Sequence, residues 1–535
     1  MTAPLKVKFD IILQLFFFIV NKSLEKFGDL GYNRRRHSFL EILMCKSNDR
    51  SGHEGVLRFF EEISKIPRRS YVTAPIAEYL CDFAKARGLA CIRDRSDNVI
   101  IRKAASRGCE NAPPVILQAH TDMVLVTSDE KQESPASEGL TLYTDGDYLR
   151  AKGTSLGGDD GIGVAYILAI LNGGALTHPP IEAVFTSNEE VGLLGASALD
   201  LTVLSGRTLI NLDSDSEGIF TAGCAGGSDA TLSLPIERPL SLPCYTLTLK
   251  DLPGGHSGVN ITDGIPNAIL LALKMLLSLA GSHPVFLSDI HGGEAYNAIP
   301  SFASIRFFCE AEFDKIEGFC KDIFTKSSES GSCGIKKEEG AFPCMRCEES
   351  LRMMETLLSL PNGVQAMERD LAGIPETSLS LGVIRTEGDS LSLGYAIRSS
   401  VNEKREALES ALIHRAEALG GRACIGGVYP AWAYRERSPL REKCLDAYRA
   451  LCGKEARVDV IHAGLECGIF ASGLEGLDAV SFGPTNIAIH TAEERLSLSS
   501  CARTYKLLLK ILAALADCVL RADRKEINNY EQGKT

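Results

Sequence analysis

The chain has 535 residues, 45% hydrophobic and 24% charged, which makes it globular and long enough for two or three packing units. That composition excludes a disordered chain and a multispanning membrane protein. With 57 Lys+Arg against 69 Asp+Glu the net charge is −12, so no broad positive field draws it to nucleic acid or anionic lipid, and a small-molecule partner is expected.

Lys6 and Lys8 precede the apolar run 11–20, IILQLFFFIV, which is shorter than the roughly 20 apolar residues of a membrane span. NKSLEKFGDL follows it, with no small-residue cleavage site, so 1–52 reads as an extension of unknown structure. Met44, just before globular patterning begins, is a candidate alternative start of translation that N-terminal sequencing of the native protein would test. Over 55–86, Val56, Phe59, Phe60 and Ile63, then Ile76, Tyr79, Leu80 and Phe83, fall at helical spacing on either side of Pro67 and predict two helices. NVIIR, PVILQAH, IEAVFTS and RTLINLD then read as short strands, interleaved with the helical GVAYILAILNGG. This is the rhythm of a mixed α/β sheet.

Between Asp213 and the late segment AVSFGPTNIAIH lie more than 250 residues with their own alternation. CYTLTLKDL, SFASIRFFC and the hairpin SLSLGVIRTEGDSLSLGYAIRSS predict strands, while PNAILLALKMLLSLAG and EALESALIHRAEAL predict helices. The expected organisation is α/β: a mixed-sheet domain in two parts, 53–228 and 435–525, with an inserted α+β domain over 229–434. A tail over 526–535 follows, the chain fraying from about Arg521. The 17 scattered cysteines fit free thiols in a reducing, cytosolic compartment. The single CxxC, Cys344 to Cys347, has no second pair at zinc-finger spacing and reads as loop thiols.

The polar clusters sit just past the strand ends: HTD after VILQA, NEE after IEAVFTS, DSD after RTLINL. That edge of an open α/β sheet is where sites form. His120 and Asp122, one residue apart, suit an imidazole that binds metal through one nitrogen while a carboxylate fixes the other. Asp159 and Asp160 lie among glycines where a helix begins, and two acids there either cap the helix or bind a cation. Glu189 and Glu190 repel each other unless a cation neutralises them; one carboxylate then coordinates while its neighbour takes a proton from water. An ordinary surface pair is the plainer alternative. Asp213 and His490 complete a mixed oxygen and nitrogen set suited to zinc, manganese or cobalt. Five candidate ligands exceed what one catalytic ion needs, and two ions sharing one carboxylate would use them all. The glycines around Asp159 make no nucleotide fingerprint.

LQAHTDMV, GTSLGGDDGIG, FTSNEEVGLLGA, LINLDSD, GCAGG, GGHSG, NAIP, LPNGV, HAGLECGIF and GPTNIAIH, in this order from about Pro67 to about Arg503, closely resemble the aminoacyl-histidine dipeptidases. These are also called peptidase D or Xaa-His dipeptidases, dinuclear zinc metallopeptidases. The resemblance implies two divalent ions, zinc first and manganese or cobalt as alternatives. His120 and Asp213 would hold one, Glu190 and His490 the other, and Asp159 would bridge them. Glu189 would be the general base and Asp122 would orient His120. The Asp159–Asp160 peptide would be cis, as in that family. The inserted domain would be a lid and dimerisation unit, from which His256 polarises the scissile carbonyl or steadies the oxyanion.

Arg398 and Asn297 are candidates for holding a substrate carboxylate or carbonyl, against ordinary salt bridging, and His462 and Glu466 for lining the site near the substrate's amino group. The expected activity is cytoplasmic hydrolysis of unblocked dipeptides, Xaa-His among them. Its partners would be peptide substrates and a second copy of the chain, not nucleic acid or membrane. The rival readings are an N-acyl amino-acid deacylase on the same site and a non-catalytic metal-binding protein. The chain departs from the family in its first 50 or so residues, in Asp160 where Asn is common, and in NLDSD where a more acidic stretch is usual. These departures leave the ligands and base in place and put substrate preference in doubt.

Overall fold

The computed structural model describes residues 53–128, 139–173, 176–328, 330–369 and 373–532. The apolar run 11–20 and Met44, the candidate alternative start, lie outside the described residues. Two helices open the described chain on either side of Pro67, α1 (His53–Ser64) and α2 (Ala74–Ala86). Ile76, Leu80 and Phe83 form the buried stripe of α2, and Phe83 meets Phe59 of α1 edge to face at 5.6 Å.

The first sheet then begins with β1 (Ala90–Arg93), β2 (Val99–Lys103) and β3 (Val115–His120). Helix α3 (Gly158–Asn172) follows, then β4 (Ile181–Thr186), β5 (Thr208–Asn211) and β6 (Ile219–Cys224). Every residue of β3 and β4 is buried, as parallel strands covered on both faces require. The residues of α3 from Gly161 to Leu171 are buried too, so this helix is apolar all round. Each fully buried Leu or Ile contributes about 1.5–3 kcal/mol. The Tyr166 hydroxyl donates to the Cys501 carbonyl at 3.0 Å. A helix held on every side fixes its own N-terminus, and that is where Asp159 and Asp160 lie.

From Gly226 the chain builds a second, antiparallel sheet. The strands along its main path are β7 (Gly226–Pro235), β8 (Leu240–Lys250), β9 (Val285–Gly292), β10 (Ala303–Cys309), β11 (Ser332–Cys344), β12 (Pro375–Glu387), β13 (Ser390–Ser399) and β14 (Arg422–Tyr429), and Gly363–Met367 pairs beside β12. Their order is β11-β8-β10-β9-β12-β13-β7-β14. Burial alternates along β10, with one face on the core and one wet. The helices of this part include α4 (Ala268–Ala280), whose Asn267 cap accepts the N–H groups of Ile269 and Leu270, and α5 (Asn402–Ala418). β12 and β13 form the expected hairpin, turning at Gly388 with φ +58°. β11 carries KKEE on the sheet's edge, and that charge both guards the edge and hides the strand from an apolar-pattern reading.

The chain then returns to the first sheet with β15 (Arg457–Ile461) and β16 (Asp478–Ser481) and ends in α6 (Leu498–Gln532). The sheet order is β1-β2-β4-β3-β5-β16-β6-β15, mixed as expected, with β4, β3, β5 and β16 parallel neighbours. Their C-terminal ends therefore share one edge. At the other end of the chain, α6 runs past Arg521, where fraying was expected, because 522–532 contain neither proline nor glycine. Among the described residues the cysteines are free thiols, Cys344 and Cys347 included. No described helix is long and apolar enough to cross a membrane.

Candidate metal centre

His120 ends β3, Glu189 and Glu190 follow β4, and Asp213 follows β5, so three parallel strands deliver imidazole and carboxylates to one edge. Asp159 comes to the same point from the start of α3. His490 arrives on the loop after β16, at φ +59°, a left-handed conformation rarely taken by a side-chain-bearing residue. Asp159 lies between the two imidazoles: its Oδ1 is 3.0 Å from His120 Nε2 and its Oδ2 is 3.2 Å from His490 Nε2. Asp213 Oδ1 stands 3.8 Å from His120 Nε2, and Glu190 Oε2 stands 2.9 Å from His490 Nε2. Ligand atoms of His120, Asp159 and Glu190 all lie within 4.8 Å of one another.

The electrostatics favour a cation. Burial raises the pKa values of Glu189, Glu190 and Asp213, and the crowding of their carboxylates adds to it. The imidazoles respond in the opposite sense. Burial opposes protonation of His120, but Asp122 and Asp159 outweigh it and hold its pKa well above the ordinary value. In His490, likewise, Asp159 and Glu190 overcome burial and raise the pKa to about 10. Divalent ions would balance these acids with both rings neutral and their Nε2 lone pairs free. The donor set fits such ions.

Asp122 is wholly buried behind His120. Its Oδ1 accepts the Glu189 N–H at 3.0 Å, its Oδ2 accepts the Ser70 hydroxyl at 2.8 Å, and it faces His120 Nδ1 at 3.6 Å. That last contact is electrostatic, being longer than a hydrogen bond. Glu189 is half-buried and lines the cleft beside Glu190. The Asp159–Asp160 peptide is cis. Asp160 Oδ1 accepts the Gly163 N–H at 3.2 Å, so this second aspartate holds the first turn of α3.

The cleft measures about 620 Å³, within the range of small-molecule sites, and is lined by ends of the first sheet and by His256, Val259 and Asn260 from the segment between β8 and β9. His256 comes to it from the antiparallel part. His256 Nδ1 accepts the N–H groups of Gly258 at 3.2 Å and Val259 at 3.0 Å, which leaves the ring proton on Nε2. Burial and then Arg398 lower its pKa to about 4, so the ring is neutral. Its Nε2 lies 3.2 Å from Nη2 of Arg398, which is buried and not among the residues lining the cleft and whose Nη1 donates to the Tyr429 hydroxyl at 2.8 Å.

Other expected residues sit elsewhere. Asn297 is exposed and is not among the residues lining the cleft; its carbonyl accepts the Ser257 N–H. His462 and Glu466, expected to line the site, are buried behind a wall made by Ala463, Gly464 and Leu465. His462 Nε2 pairs with the Ser378 hydroxyl at 2.7 Å, and Glu466 accepts from Thr186 and Gln118. Burial raises the Glu466 pKa to about 7. Sequence reasoning missed Ser70, Arg68, Tyr429 and Glu494 near the site, all ordinary polar residues that no local pattern marks.

Fold and site together define a hydrolase with a candidate divalent-metal centre. The chain belongs to peptidase family M20/M25/M40, whose model matches residues 116–514, so it is a peptide-bond hydrolase. It is 33% identical over 467 residues to the cytosol non-specific dipeptidase of Escherichia coli, covering 85% of this chain and 96% of that protein. The crystal structure of aminoacylhistidine dipeptidase from Vibrio alginolyticus is 34% identical with a TM-score of 0.73, over 86% of this chain and 96% of that one. Aminopeptidase PepT from Bacillus cereus shares the fold at 17% identity and a TM-score of 0.51, covering 87% and 99%.

Proposed function

We propose that the protein is a cytoplasmic dipeptidase that hydrolyses unblocked dipeptides, Xaa-His among them, at a centre of two divalent metal ions. His120 and Asp213 would hold one ion, His490 and Glu190 the other, and Asp159 would bridge them. One observation carries this reading: Asp159 turns Oδ1 to one imidazole and Oδ2 to the other, with a further carboxylate beside each. Zinc is the first candidate for this donor set. When bound, the ions lower the pKa of water and polarise the scissile carbonyl.

The chain's own groups do the rest. Glu189 takes a proton from the attacking water as its oxygen bonds to the carbonyl carbon, then delivers that proton to the leaving amine as the C–N bond breaks. Asp122 keeps His120 in register and holds the Glu189 N–H. His256, which lines the cleft, suits the developing oxyanion, and Arg398 beside it would hold the substrate's carboxylate once reached. Glu466 and His462 support the cleft wall from behind.

The test is a panel of unblocked dipeptides, including β-Ala-His and Gly-His, beside N-acyl amino acids, with the protein chelated and then reloaded with zinc or manganese. Chelator-sensitive dipeptide cleavage that metal restores, and that Glu189→Gln abolishes while metal stays bound, is expected. Cleavage of the acylated substrates alone would overturn the dipeptidase reading.

A further inference from the structure

We infer that Glu494 and Arg68 are positioning residues: two buried opposite charges that clamp the backbone around Asp159 and so present its two oxygens to both imidazoles at once. The inference rests on the two-metal reading above. Glu494 is 2% exposed. Its Oε2 accepts the N–H groups of Leu156 at 2.7 Å and Gly157 at 2.8 Å, and its Oε1 accepts those of Gly158 at 2.8 Å and the Asn486 side chain at 3.0 Å. With the Asp159 N–H at 3.4 Å from Oε1, four successive backbone donors converge on one carboxylate up to and including Asp159. Such charge-assisted bonds are roughly twice as strong as neutral ones, and a carboxylate this deep needs them.

Arg68 works from the opposite side and is also 2% exposed. Its Nη1 donates to the carbonyls of Thr121 at 3.1 Å and Asp122 at 3.2 Å, just past His120, and its Nη2 donates to the Gly157 carbonyl. Glu494 itself stands four residues after His490 on the same loop. The two charges therefore tie together the three segments that carry His120, Asp159 and His490. A simple helix cap would satisfy the first turn of α3 without reaching the strand that ends in His120.

The glycines flanking Asp159 are the footprint of this clamp. A Cβ on Gly157 or on Gly161 would come within 2.5 Å of Arg68 Nη2. On Gly158 it would lie 2.9 Å from Asn486 Nδ2 and 3.2 Å from Glu494 Oε1. The close approach of these side chains accounts for Gly157, Gly158 and Gly161 without any nucleotide.

The experiment titrates the metal-stripped full-length chain with cobalt(II) alone, following its visible absorption and its competition with a chromophoric chelator. Wild type is expected to take two equivalents; fewer would overturn the two-metal reading itself. Glu494→Gln keeps the volume and loses the charge, and is expected to weaken the second equivalent at least about tenfold with an altered spectrum. Glu494→Asp keeps the charge and is expected to fall between it and wild type. The reverse order, Gln equal to wild type and Asp worse, is that of a residue filling space and overturns the inference while leaving two metals in place. If neither variant folds, Asn486→Ala removes one side-chain donor to Glu494. A loss of about threefold in cobalt affinity is then expected, and unchanged affinity overturns the inference.

Discussion

Replacing Asp122 separates charge from packing at the centre. Its carboxylate accepts the Glu189 N–H and the Ser70 hydroxyl in a wholly buried place, with His120 Nδ1 facing it at 3.6 Å. Asparagine keeps the shape: its carbonyl oxygen accepts from Glu189 and its amide nitrogen donates to the Ser70 oxygen. Only the negative charge beside the imidazole is lost. Alanine removes both acceptors and strands two donors at about 1–3 kcal/mol each. Asp122→Ala should therefore destabilise the metal-stripped protein by roughly 2–6 kcal/mol, and Asp122→Asn by less than about 1 kcal/mol. Metal affinity should follow a different order, with both variants weakened about 10- to 100-fold, because the partner of a ligating histidine sets its orientation and basicity. Denaturant unfolding of the chelated chain gives the first quantity and competition for zinc with a chromophoric chelator the second. An asparagine variant that holds zinc as tightly as wild type would refute the role of that charge.

Two further outcomes follow from close contacts elsewhere. A Cβ on Gly163 would lie 2.4 Å from Asp160 Oδ1, so Gly163→Ala should cost about 1–3 kcal/mol of stability; a denaturation midpoint equal to wild type would contradict the contact. Burial, then Arg398 and His256, lower the His462 pKa to about 4, below its unfolded value near 6.5. The stability this neutral ring contributes is complete above about pH 6.5 and is lost as pH falls towards 4. Between pH 6.5 and 5 the loss amounts to at most about 2 kcal/mol. His462→Gln, still able to bond Ser378, should flatten that part of the unfolding free energy against pH, and parallel curves for the two proteins would sink the assignment.

What was legible in the sequence follows from where the information is local. HTD, NEE and DSD each follow an apolar run that could only be a buried strand, so their convergence on one edge comes from the sheet's parallel register. The helix after Asp160 was equally plain because it is apolar throughout. Arg68 and Glu494 were not legible. They meet the Asp159 loop across 89 and 336 residues of sequence, and a lone Arg or Glu in a polar stretch looks like surface. Strand β11 escaped for a related reason, its charged edge breaking the alternation that marked β10. His462 and Glu466 lie in a distinctive motif, yet whether a side chain faces a cleft or the packing behind it depends on backbone direction, which motif spelling does not encode.

The way the antiparallel sheet joins the catalytic one has a bearing on the history of such a chain. The outgoing strand β7 starts at Gly226, the returning strand β14 ends at Tyr429, and the two pair directly, Gly227 opposite Tyr429. Just below them Cys224 and Trp432 exchange both backbone hydrogen bonds, at 2.9 and 3.0 Å. Entry and exit are thus neighbours, so some two hundred residues hang from the catalytic sheet as a cassette, a length usual for one domain. Such a cassette is open to exchange, enlargement or loss in evolution without rethreading the sheet that carries the chemistry, and it offers protein engineers a ready seam for grafting one specificity onto another.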